Sequence, residues 1–168
     1  MKTLSKLLLL FALVTVESHA NQSGSDIAAT VNDVRILEAD KSKSLDLTEF
    51  VLGAANFQRV RQEREGSALE DEIDRHLLRE EFKRMGGQVK PEHIDQLVTD
   101  LIAFRFNGNE TAFKDELSTF DLDQDDIRTR LLDNLISKVF QNDEALNGGN
   151  FDEWLEKLRG KSDISISE

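Results

Sequence analysis

FDLDQDDIRTRLLDNLISKVF, residues 120–140, begins with four aspartates in six positions and continues as an apolar-rich run. Its first half admits three readings: a calcium loop, an acidic catalytic site, or the start of a helix. An EF-hand loop needs oxygen ligands at positions one, three and five, glycine at six and a bidentate glutamate at twelve. Asp121, Asp123 and Asp125 supply the first three, but position six is Asp126 and position twelve is Leu132. Without the twelfth ligand the cage stays open. The helical reading satisfies each residue, with Asp123 as N-cap and Asp126 at the third helical position, both favoured by the positive end of the helix dipole. The spacing predicts a helix over 124–141 and no metal site.

Within that helix Ile127, Leu131, Leu135 and Val139 form one apolar row, and Leu132, Ile136 and Phe140 form the adjacent one. So broad an apolar face places a helix centrally, with neighbours on both flanks. Helical periodicity extends upstream. Pro91 suits the first position of a helix over 91–106, with Ile94, Leu97, Val98, Leu101 and Phe104 inward. Asn107-Gly108-Asn109 then breaks the chain, and Asn109 caps a short helix carrying Phe113 and Leu117. Ser67-Ala68-Leu69-Glu70 reads as a capping box for a helix through Ile73, Leu77, Phe82 and Met85, stopped by Gly86-Gly87. Before it, Leu47, Phe50, Val51, Ala54, Phe57 and Val60 make one stripe that Asp46 and Glu49 would start, with KSKSLDL (41–47) as a link.

The two ends of the chain change period. In IAATVNDVRIL, residues 27–37, apolar residues alternate around Asn32-Asp33, which reads as a short hairpin. Two strands alone are marginal, so a third is required. It is found in DISIS near the C-terminus, where Ile164 and Ile166 alternate after a helix, FDEWLEKLRG, capped by Asn150 with Glu153 and stopped by Gly160. Asp143–Gly149 reads as the loop before that helix. The expected fold is mainly α, a helical domain with a small antiparallel β element formed by the N-terminal hairpin and the C-terminal strand.

Residues 1–20 are expected to be a signal peptide: Lys2 and Lys6, the apolar run from Leu7 to Val16, then Ser18-His19-Ala20, with cleavage after Ala20. The run is too short for a bilayer span, which needs about 20 apolar residues. Residues 21–26 read as a flexible leader and 27–168 as one domain, closed by the helix and strand of 150–167. A formal net charge of −12 opposes phosphate backbones and anionic membrane surfaces, so neither nucleic-acid binding nor stable membrane insertion after cleavage is expected. The chain has no cysteine, which excludes disulfides and thiol chemistry.

A catalytic constellation is not found. His19 lies in the signal segment, while His76 and His93 lack the paired spacings that metal ligands need. Neither G-x-S-x-G nor a phosphate-cradling glycine loop occurs. Carboxylates abound, but nothing in the pattern buries a pair of them, and acid–base work needs that perturbation. No enzyme activity and no cofactor are expected.

Residues 77–140 resemble the N-terminal chaperone domain of SurA and its relatives. The shared pattern is a helix ending in a small turn, then VKPEHID (89–95), a short helix ending in Leu117, a tight turn, and IRTRL (127–131) opening a long helix. VNDVRILEAD is similar to that family's first strands, and FDEWLEKLRGKSDISI to its closing helix and strand. Asp33 and Asp121 stand where glycine is common in the family, and residues 38–66 follow it poorly. Family members often insert parvulin prolyl isomerase domains after the long helix; here only QNDEALNGGN (141–150) joins the two parts. An isomerase label would therefore be inherited from the family. The resemblance implies a periplasmic, ATP-independent chaperone holding unfolded or extended polypeptide clients, such as outer-membrane or secreted proteins. Its alternatives are a dedicated partner of one secretion or polysaccharide-export complex, or a prolyl isomerase. Holding clients needs exposed apolar surface. Ile102, Phe106 and Phe113, off the main inward stripe beside the NGN turn, are the candidate client-facing residues; alternatively they pack against the neighbouring helix.

Overall fold

Alternating residues from the two ends of the chain meet in one sheet. The computed structural model describes residues 26–167, so the expected signal peptide and nearly all of the leader lie outside the described residues. Strands β1 (Ile27–Val31) and β2 (Val34–Leu37) form the expected hairpin, and β3 (Ile164–Ile166) pairs antiparallel on the other side of β1. Val31 stands opposite both Val34 and Ile164, and Ala29 opposite both Ile36 and Ile166. Side chains alternate across a strand, so these residues share one face. That face packs on Ile73 and Leu77. The turn takes its left-handed residue at Asn32, with φ of 52°, rather than at Asp33. Asn is the better choice, because its short amide bonds locally and tolerates that backbone.

The helices are α1 (Glu38–Leu52), α2 (Ala54–Arg84), α3 (Pro91–Phe106), α4 (Glu110–Thr119), α5 (Gln124–Asn142), α6 (Glu144–Asn147) and α7 (Phe151–Arg159). Four expectations are corrected. Residues 41–47 are not a link but part of α1, which starts directly after β2; the Asp40 carboxylate accepts the Leu37 N–H at 2.7 Å and closes that first turn. The stripe over 47–60 is cut at Gly53, whose φ of 79° belongs to neither helix. Ser67 does not cap a new helix: its hydroxyl bonds Asp71 at 3.2 Å while α2 runs straight through. Gly66 weakens that continuity by about 1 kcal/mol, and the buried Phe57 and Ala68 on either side hold the helix together. The loop expected at 143–149 contains α6, a single turn capped by Asp143.

At the decisive stretch, the Asp123 carboxylate accepts the Asp126 N–H at 2.9 Å, and the Asp126 carboxylate accepts the Asp123 N–H at 3.0 Å. Lys43 adds an ion pair to Asp126 at 2.6 Å. It is a helix start. Asp121 just before it adopts φ of 53°, a left-handed geometry that glycine usually supplies.

α5 is central, as its two apolar rows require. Ile127 enters a cluster with Phe50, Val98, Phe106, Phe113, Leu117 and Leu122. Ile136 and Phe140, two turns further on, enter another with Leu78, against which Trp154 of α7 stacks at 4.8 Å from the Phe140 ring. One helix thus joins two cores, while the sheet and α2 form a third.

Candidate functional site

The three expected client-facing residues face inward. Phe113 is 1% exposed and Phe106 9%. Their rings meet edge to face at 5.5 Å, and both lie within 5.8 Å of Phe50. Ile102 is half-buried against the same cluster. Conversely, Phe104, assigned to the inward stripe, is 90% exposed. The reason lies in helix geometry. Val98, Ile102 and Phe106 step by four and drift around α3, and the aromatic cluster at its C-terminal end captures that drift. Position 104 is thereby turned to solvent.

A polar cleft forms where β2, α1, α2 and α5 converge, enclosing about 270 Å³. On its floor, Arg130 is 6%, Ser44 5% and Asp133 5% exposed. Asp133 takes both prongs of the Arg79 guanidinium, and that bond raises the Arg79 pKa against the opposing effect of burial. Arg75 is paired with Glu72 and also donates to the Ser44 hydroxyl at 2.5 Å. Arg130 donates to the Ser44 carbonyl at 2.8 Å and to its hydroxyl at 2.7 Å. Burial first, then the neighbouring Arg75 charge, pull the Arg130 pKa down to about 10. The rim carries Val34, Arg35 and Leu47. His76 also lines the cleft, its buried Nε2 without a hydrogen bond and 3.3 Å from a Glu80 oxygen.

Sequence reasoning passed over this cleft. A signal did exist: Ile127, Arg130 and Asp133 recur at three-residue steps, so two charges share the face of a residue that had to be buried. Buried charges need partners; the two could serve each other at that spacing, but the groups that hydrogen-bond them lie far off in sequence. Those partners come from α1 and α2.

The sheet has two free edges. Asn32 donates to the Asp163 carbonyl and Ser167 to the Ala28 carbonyl, so the even-numbered residues of β1 bond toward β3 and the odd-numbered ones toward β2. Arg35, opposite Thr30, therefore turns its backbone N–H and C=O outward along β2. By the same alternation Ile164 and Ile166 turn theirs outward along β3. Apolar side chains accompany these edges, with Val34 42% and Ile166 55% exposed.

A family model described as the SurA-like N-terminal domain matches residues 2–124. The match runs through the hairpin and α1 to α4, and ends at the first residue of α5. No curated protein and no solved structure matches the chain.

Proposed function

The chain belongs to the SurA-like N-terminal domain family, and from that premise we propose that it is an exported, ATP-independent chaperone-like protein that holds unfolded or extended polypeptides. Its clients would be met in the periplasm, outer-membrane and secreted proteins among them. The family match carries the reading. Physical support comes from the sheet, whose unpaired backbone groups at Arg35, Ile164 and Ile166 are what an extended chain can pair with. Phe104, 90% exposed, adds apolar surface on the helical side. Among the described residues no helix is long and apolar enough to cross a membrane. Holding needs no catalytic step, and the reading includes none.

The test is direct. Diluting a denatured outer-membrane protein into buffer with the purified chain should reduce light scattering in proportion to the amount added. Undiminished scattering at molar excess removes the reading. A pull-down that returns one protein instead of many would favour the dedicated partner.

A further inference from the structure

We propose that the cleft beside β2 takes the carboxylate-bearing end of an extended polypeptide, the Arg130 guanidinium receiving the carboxylate and the free edge of β2 receiving the backbone. This rests on the client-binding reading and specifies where and how a client ends.

Charge bookkeeping around the cleft leaves a surplus. Glu72 is paired with Arg75, Asp126 with Lys43 and Asp133 with Arg79. Asp40, the remaining carboxylate of the lining, accepts the Leu37 N–H. Five cations and four carboxylates line the cleft, so one positive charge is in excess, and Arg130 and Arg35 are the two cations without an ion pair among the described residues. Arg130 has only the oxygens of Ser44 as partners, and Arg35 makes no ion pair among the described residues. Glu72, Asp133 and Asp71 act on Arg130 through space, without an ion pair to any of them among the described residues, and a planar guanidinium fork matches a carboxylate in two parallel bonds.

The shape and the edge select the ligand. Pockets for drug-sized ligands start at roughly 300 Å³, so about 270 Å³ suits the terminal residue of a chain better than a folded segment. Val34 and Leu47 at the rim offer apolar contact to that residue's side chain. Arg35 also lines the cleft, and its N–H and C=O point outward along β2, so the free edge of the strand borders the cavity whose lining includes Arg130. A strand laid against β2 would bring its end to Arg130. A second copy of this chain is a poor occupant, since two bodies of net charge −12 repel.

The experiment compares two fluorescein-labelled hexapeptides of alternating valine and glycine, one a free acid and one a C-terminal amide, by anisotropy against the full chain. The free acid should bind at least about tenfold tighter, the scale that a hydrogen bond to a charged group supports. Arg130→Gln should erase that advantage. Because Arg130 also anchors Ser44, Arg35→Gln at the exposed edge serves as the variant whose folding is secure, and it should reduce the advantage. Equal binding of acid and amide overturns the carboxylate site while client holding stands. Binding of neither peptide, with client scattering still suppressed, also overturns it. Binding of neither, with scattering unsuppressed, removes both this site and the reading beneath it.

Discussion

Asn32 and Asp163 exchange hydrogen bonds across 131 positions of the chain: the Asn32 N–H donates to the Asp163 carbonyl at 2.6 Å, and the Asp163 N–H donates to the Asn32 side chain at 3.1 Å. The same amide donates to Glu80 of α2 at 2.6 Å. One residue therefore turns the hairpin, fastens the last strand and ties both to the longest helix. Asn32→Gly keeps the backbone geometry and loses these side-chain bonds, so it should cost about 1–2 kcal/mol in urea unfolding. Asn32→Ala should cost about 1 kcal/mol more, because alanine resists the left-handed backbone. Equal costs would mean that the turn conformation contributes nothing.

Phe113 and Phe104 should separate stability from binding. Phe113→Ala opens a cavity beside Phe50 and Phe106 and should destabilise the fold by about 3–5 kcal/mol. Phe104→Ser removes a ring that is 90% exposed. It should leave stability within about 0.5 kcal/mol and weaken suppression of client scattering. Thermal melts alongside the scattering assay check both.

The Arg79–Asp133 pair links α2 to α5 beneath the cleft. Asp133→Ala leaves Arg79 without its partner but 36% exposed to water, so it should cost about 1–3 kcal/mol. The double substitution Arg79→Met with Asp133→Leu should recover part of that loss, because neither member of the pair then remains to be desolvated, while Arg130 still lacks the field of Asp133. A double variant as unstable as the single one would show that packing, not charge, sets the cost.

Asp74 gives the pH dependence its sign. Burial raises its pKa above 3.8, opposed by the hydrogen bond and the charge of Arg159 and aided by Asp71 and Glu70. The native chain thus holds this proton more tightly than the unfolded chain does. Its contribution to stability grows as pH falls through the window just above 3.8 and is lost as pH rises through it. Urea unfolding between about pH 3 and pH 6 should show wild type losing ground to Asp74→Asn as pH increases. A difference moving the other way would contradict the raised pKa.

Local chemistry was legible in the residues. The Asp123–Asp126 cap, the Asn150 cap and the pairing of the C-terminal strand with the N-terminal hairpin all follow from side chains acting on neighbouring backbone or from period-two alternation. What was not legible depends on partners distant in sequence. Phe106 and Phe113 turn inward because Phe50, more than fifty positions away, offers them an aromatic neighbour. Arg130 is buried because Ser44 of α1 receives it. Ser67 has the residues of a cap, but the burial of Phe57 and Ala68 makes one continuous helix the better solution. Propensity gives way to packing in each case.

The most direct measurement is amide hydrogen exchange on the full chain, with and without an excess of an unfolded outer-membrane protein. Client held as an extended strand should slow exchange at the outward N–H of Arg35 within Val34–Leu37, while helices α2 and α5 exchange as before. Client that binds and leaves Val34–Leu37 and Ile164–Ile166 exchanging at their free rates would contradict capture by the sheet edges.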